Sequence, residues 1–403
     1  MDELTSLGLI LLLALLAGHL VKVIKVPEVT GYIMAGIALG PSVLGWVSAE
    51  NLLALEVLSE VALGLILFSI GSVFEFSRFR RIGRQVLYLT LVESALASVL
   101  VMVGVLVLGQ PWQVALLLGA VAIATAPAST LMVIRECNSA GPLTDNMLGI
   151  IAVNNLICIT TYALVAAAID LASGLGGTSL FDAVYRAGYP LVWQLVGSAA
   201  LGYLVGLMLA AWSSQVSETG EMLILLAGSI LLCVGVARMV DLSPLVASLA
   251  VGATMVNLAE RSRSLFTTLA GTDPPFYAIF FVIAGADLDL SLVPTMGVIG
   301  VVYVGGRSVG KFVGAIAGAR WLRLERSVQR YLGFGLMAQA GLAVGLTIAI
   351  DQRFDTFAPI VSTVVLASVA IFEMVGPISA RFALVQSGEA GMQAPTPGPP
   401  LGA

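Results

Sequence analysis

The sequence predicts an all-α polytopic membrane protein of about thirteen transmembrane helices, and three observations carry that prediction. Of the 403 residues, 59% are hydrophobic and only 11% are charged. Soluble domains have roughly 45–50% apolar and about 25% charged residues, so a water-facing surface cannot be covered from this composition. The apolar residues also gather in runs near the ~20 residues that cross a bilayer. Finally, the basic residues fall on alternate sides of those runs. The same numbers exclude a water-soluble enzyme and a disordered chain. A net charge of −5 without any basic block excludes nucleic-acid binding.

The runs follow one another in order. The first, 5–24, is an unbroken apolar segment closed by Lys22 and Lys25. An acidic Met1-Asp2-Glu3 start does not read as a cleavable leader. The second, 29–46, is short. Segments 53–71, 84–108, 112–135 and 143–169 follow, and the third is interrupted by Pro127. Segment 190–212 stands apart as a linker. Then come 221–240, the short pair 243–258 and 276–290, and 293–319, which carries Arg307 and Lys311. Segments 329–350 and 357–384 complete the set. From Gln386 the chain is rich in Gly and Pro, and 386–403 reads as a disordered tail.

Loops after odd-numbered runs hold fourteen of the 19 basic residues, and loops after even-numbered runs hold three, Arg186, Arg238 and Arg353. The positive-inside rule then sets the C-terminus in the cytoplasm and the N-terminus outside.

A weak repeat divides the chain. Gly71-Ser-Val-Phe-Glu75-Phe-Ser77 and Gly285-Ala-Asp-Leu-Asp289-Leu-Ser291 share the pattern Gly-x-x-apolar-acid-apolar-Ser at an offset of 214 residues. The same offset carries Thr125-Ala-Pro127 onto Gln339-Ala-Gly341. Seven helices separate the copies, so 1–170 and 221–385 read as two repeats of opposite orientation. Inverted repeats with interrupted helices at matching positions mark secondary transporters, with the site near the midplane. Pro127 is expected to kink the fifth run by removing a helix hydrogen bond, and Gly341 to loosen the twelfth.

Charges at mid-depth are costly and functional by default. Glu93 lies about 13 Å along its helix from Arg84, and Glu373 about 12 Å from the cytoplasmic end of the last run. Arg307 and Lys311, four residues apart, share a helix face. Two positive and two negative groups cancel, and inter-helix clasps are the plain structural alternative to an ion path. Thr125, Ser129, Thr130 and Gln339 at the two interruptions offer oxygen ligands, although membrane hydroxyls often bond back to their own helix. Asp145 in the first turn of the sixth run is read as a dipole partner. Cys137, Cys158 and Cys233 are too scattered for a disulfide framework. The single His19 does not make a multi-histidine metal site. No cofactor motif and no nucleophile–base pair support an enzyme.

Seven motifs in order resemble the monovalent cation:proton antiporter-2 family of bacterial sodium/proton and potassium/proton exchangers. They are Gly31-Tyr-Ile-Met-Ala-Gly-Ile-Ala-Leu-Gly-Pro41, Leu67-Phe-Ser-Ile-Gly71, Ala126-Pro-Ala-Ser-Thr130, Gly141-Pro-Leu-Thr144, Phe280-Phe-Val-Ile-Ala-Gly285, Gly310-Lys-Phe-Val-Gly314 and Met337-Ala-Gln-Ala-Gly341. The resemblance covers residues 5–385. It implies thirteen spans in a bacterial inner membrane, two crossed broken helices (spans 5 and 12) and a homodimer. A scaffold of spans 1, 2, 8 and 9, linked by span 7, would support a core of spans 3–6 and 10–13 that moves like an elevator. It implies exchange of a monovalent cation, Na+ or K+, for H+, and a core acid paired with a basic residue of span 11, here Arg307 or Lys311.

The chain departs from this pattern at span 6. Asn154 and Asn155 occupy the positions where the family usually carries one or two aspartates, and Ala126 stands where some relatives have an Asp before the proline. Asparagine supplies a carbonyl ligand but neither charge nor titration. A proton-coupled cycle then needs Lys311, Glu93 or Glu373 as carrier. Two other readings stay open: an antiporter fold without exchange, serving as a sensor or subunit, and an anion transporter using Arg307, Lys311 and helix N-termini.

Overall fold

The computed structural model describes residues 3–71, 74, 76–172, 189, 193–216, 218–259 and 262–392, and every regular element among them is helical. Helices α1 (Glu3–Val23), α2 (Glu28–Leu39), α3 (Ala49–Gly71) and α4 (Phe76–Val107) open the chain. Two half-helices follow, α5 (Trp112–Val121) and α6 (Pro127–Glu136), then α7 (Pro142–Ala172). A π turn at Trp193–Gly197 leads into α8 (Ser198–Ser213), followed by α9 (Thr219–Met239), α10 (Pro244–Leu258) and α11 (Ser262–Ala286). A single turn, α12 (Leu292–Thr295), precedes α13 (Gly297–Trp321). The second pair of half-helices is α14 (Arg326–Gly335) and α15 (Gly341–Asp351), and α16 (Ala358–Ser387) closes the fold. Eight of these helices are long and apolar enough to cross a membrane, and five shorter apolar ones accompany them.

Several limits differ from those read in the sequence. The expected run 29–46 ends as a helix at Leu39, because Gly40-Pro41 cannot continue it. Helix α4 starts at Phe76, eight residues before the expected 84, through the basic segment that charge had assigned to a loop. Helix α11 runs from Ser262 through Pro274-Pro275, well before the expected 276. Its apolar portion is Pro274–Ala286. Of the segment 386–403, Gln386 and Ser387 finish α16 and residues 388–392 are ordered turn, while 393–403 lie outside the described residues.

The 214-residue offset extends across the fold. Added to the bounds of α5, it gives 326–335, the limits of α14; added to the start of α6, it gives Gly341, the start of α15. It also carries α1, α2, α3, α4 and α7 onto α9, α10, α11, α13 and α16, leaving α8 as the unrepeated connector. Packing follows the same relation: α2 lies on α11, and α3 lies on α10. A Cβ on Gly36 would fall 2.1 Å from the Val282 carbonyl oxygen, and one on Gly252 would fall 2.0 Å from that of Phe68. Without a hydrophobic force between helices in lipid, such small-residue contacts let backbones approach closely.

Candidate functional site

The two interruptions are complete breaks. Val121 ends α5, Ala122–Ala126 are non-helical, and Pro127 is the first residue of α6. Proline suits that position because its missing N–H would be unpaired there in any case. The residues alone predict a kink at Pro127 and the family resemblance a broken helix; the structure shows the break, with a new helix starting at Pro127. The second break, Leu336–Ala340, ends at Gly341, the first residue of α15. The breaks touch: the Ala126 N–H donates to the Ala338 carbonyl at 3.0 Å.

Two breaks free backbone carbonyls in the buried interior of the fold, where each unpaired group is costly. The α13 face formed by Tyr303, Arg307 and Lys311 answers that need. Arg307 donates from Nη1 to Met337 O at 2.7 Å, and from Nη2 to Ala124 O at 2.7 Å and Ala338 O at 3.1 Å. Its guanidinium lies 4.2 Å from the ring centroid of Phe372 on α16. Gln339 Nε2 donates to Val121 O at 3.1 Å and to Tyr303 Oη at 2.9 Å. One arginine thus ties both breaks, without a carboxylate partner among the described residues.

Lys311 is the basic residue that meets an acid. Its Nζ lies 3.0 Å from Glu93 Oε2 and donates to Ile123 O and Thr125 Oγ1, both at 2.9 Å. Both charged side chains are 0% exposed. Glu93 Oε1 accepts from Asn154 Nδ2 at 2.6 Å, and Asn154 Nδ2 also reaches Ser94 Oγ at 3.1 Å. Helices α4, α7, α13 and the first break therefore meet at one ion pair.

Among the sequence candidates, Glu93, Lys311, Thr125 and Asn154 form one network, and Arg307 and Gln339 form the adjoining staple. Thr130 bonds back to the Ala126 carbonyl at 3.2 Å, the alternative expected for membrane hydroxyls. Ser129 and Asn155 join neither network. Ser129 Oγ, Asn154 Oδ1, Asn155 Oδ1, Gln339 Oε1 and Glu373 Oε1 are buried and have no hydrogen-bond partner. The sequence reading missed Ser94, Tyr303 and Phe372. Tyr303 carried a usable signal, because it lies four residues before Arg307 on the same face. Glu93 and Arg307 are themselves 214 residues apart.

Comparison with known proteins agrees with this architecture. The chain is 25% identical over 345 residues to the ammonium/H+ antiporter subunit AmhT of Alkalihalophilus pseudofirmus, covering 85% of each chain. It is 25% identical over 289 residues to the putative cation/proton antiporter YbaL of Escherichia coli, spanning 69% of this chain and 50% of that one. Its fold superposes on the sodium proton antiporter MjNhaP1 of Methanocaldococcus jannaschii with a TM-score of 0.70 at 16% identity, covering 96% of this chain and 98% of the other. The transmembrane sodium/hydrogen exchanger family model matches residues 8–384, and the chain belongs to that family.

Proposed function

We propose that the protein exchanges a monovalent cation for protons, working as a homodimer in a bacterial inner membrane with its C-terminus in the cytoplasm. One observation supports a cation above all: the unsatisfied buried groups around the two breaks are mostly acceptors. Asn154, Asn155, Gln339 and Glu373 each leave a carbonyl or carboxylate oxygen without a donor, against one donor-only group, Arg307 Nε, while the Ser129 hydroxyl can serve in either sense. Oxygens replace the water around a dehydrated cation, whereas an anion needs spare N–H groups, and the guanidinium of Arg307 already spends its terminal nitrogens on carbonyls. This favours cation exchange over the anion reading.

The site differs from the usual family pattern in the division of labour. Glu93 is engaged on both oxygens, by Lys311 and Asn154. In this reading the ion pair is a fixed clasp, and Asn154 orients it. Movement of the core (α3–α7 and α11–α16) past the scaffold (α1, α2, α9 and α10) carries the site across the membrane.

The test is exchange by purified protein in liposomes with an internal pH dye. Gradients of sodium, potassium, lithium, ammonium and chloride are imposed in turn; ammonium is included because AmhT is named for it. Proton movement driven by at least one cation and not by chloride is expected. Exchange appearing only in Asn155→Asp would overturn the proposal in favour of a sensor or subunit.

A further inference from the structure

A cation leaving water needs negative charge beside it, and a proton-coupled cycle needs a group that titrates. Asn155, in the family's acid position, provides neither. Glu93 has the charge, but Lys311 neutralises it at 3.0 Å. The acid left over in the membrane core is Glu373 on α16. It is 5% exposed, its Oε1 has no hydrogen-bond partner, and it forms no ion pair among the described residues. An isolated buried carboxylate is too costly to persist. The group is stable either protonated or with a cation bound, and these are the two states an exchanger alternates between.

Its place in the fold is specific. The Glu136–Arg381 bridge, at 3.0 Å, sets α6 and α16 side by side. Ser129 lies seven residues from Glu136, about 10 Å, and Glu373 lies eight residues from Arg381, about 12 Å, so the two stand at one depth. A Cβ on Gly376 would meet the Cα of Ala338 at 2.5 Å, so α16 crosses the second break one turn from Glu373. Viewed down the helix, Glu373 lies between Gly376, about 60° to one side, and Arg381, about 80° to the other. It therefore faces the wedge between the second break and α6, whose Ser129 Oγ is buried and also without a partner. The charged groups on the elements around that wedge are already engaged: Glu136 with Arg381, Lys311 with Glu93, and Arg307 with carbonyls.

We propose that Glu373 is the carboxylate that binds the transported cation and gives up a proton in exchange, in place of the missing span-6 acid, with Ser129 Oγ as a neutral ligand beside it. This rests on the cation/proton reading above. One proton leaves the carboxyl as one cation arrives, so the charge of the site is unchanged, and the reverse occurs on the other side of the membrane.

Two readouts test the proposal: exchange in liposomes, and thermal unfolding in detergent with sodium, potassium or ammonium chloride against choline chloride at equal ionic strength. Glu373→Gln keeps shape and burial. It is expected to lower exchange at least tenfold and to abolish the cation-dependent rise in Tm, while the Tm in choline stays at or above that of the parent. Exchange and cation shift unchanged in Glu373→Gln would overturn the proposal, and cation/proton exchange would stand without it. If the parent exchanges nothing but its cation shift disappears in Glu373→Gln, the binding site stands and the exchange reading falls. If the parent shows neither response, both fall. If Glu373→Gln does not fold, Glu373→Asp decides. Its carboxylate is withdrawn by one methylene, so the proposal requires a higher KM for the cation, and an unchanged KM overturns it.

Discussion

At the scale of single residues, the Lys311 ammonium has three protons and three acceptors: Glu93 Oε2, Ile123 O and Thr125 Oγ1. A group with every donor matched in a dry interior behaves as a structural clasp. Removing one partner of such a pair strands the other charge and costs about 3–5 kcal/mol, whereas removing both is far milder. Lys311→Met alone is therefore expected to lower the thermal unfolding temperature sharply. The double variant Glu93→Gln/Lys311→Met should recover much of the loss, as measured by tryptophan fluorescence in detergent. If instead Lys311 is the proton carrier, the double variant would fold well yet show no exchange. The four mid-depth charges were legible in the sequence because ionisable residues stand out in apolar runs. Their partners were not: Arg307 binds three backbone carbonyls, and a carbonyl has no letter in the sequence. The apparent balance of two acids against two bases was likewise misleading, because only one of the two possible pairs forms.

At the scale of elements, α7, which holds Asn154 and Asn155, begins under an unexpected cap. Glu389, past the end of α16, accepts from Leu143 N at 2.7 Å and from Thr144 N and Oγ1 at 2.8 Å and 2.7 Å. A carboxylate there satisfies free N–H groups and complements the helix dipole. Sequence reading had given the dipole to Asp145 and the tail to disorder, because a cap supplied from 245 residues away has no local signature. Glu389→Ala should cost about 1–2 kcal/mol, seen as faster hydrogen exchange at the Leu143 and Thr144 amides. Glycine contacts follow the same logic. At Gly36 a methyl would drive into the Val282 carbonyl of α11, whereas at Gly8 nothing lies within 4 Å. Gly36→Ala is expected to destabilise by about 1–3 kcal/mol through overpacking, and Gly8→Ala to be neutral or stabilising. Equal melting temperatures would mean that α2 and α11 do not pack this closely.

At the scale of the whole molecule, two short motifs at a common offset were enough to reveal the repeat, because breaks need Pro and Gly whereas spans accept any apolar residue. That tolerance explains why the remaining correspondences did not stand out: α1 and α9 share length, hydropathy and the run Leu9-Ile-Leu-Leu12 with Leu223-Ile-Leu-Leu226, letters that any two apolar spans can share. The movement proposed above would have to occur where α2 lies on α11 and α3 lies on α10, two repeat-related faces at which small residues bring the backbones close together. One site tests this directly. A Cβ on Gly64 of α3 would lie 3.4 Å from Ser248 Oγ of α10, so a sulfur at each position would be close enough to its partner for a disulfide to form. In a chain whose Cys137, Cys158 and Cys233 are replaced by alanine, Gly64→Cys with Ser248→Cys should exchange normally when reduced. Oxidation should abolish exchange, and reduction should restore it. Because the bond joins α3 to α10, neither of which carries Glu93, Lys311 or Glu373, loss of exchange would point to blocked movement rather than a damaged site. A cross-linked protein that still bound the cation, seen as a retained thermal shift, would separate the two causes completely. Full exchange in the oxidised form would mean that the ion crosses without the two parts moving past each other.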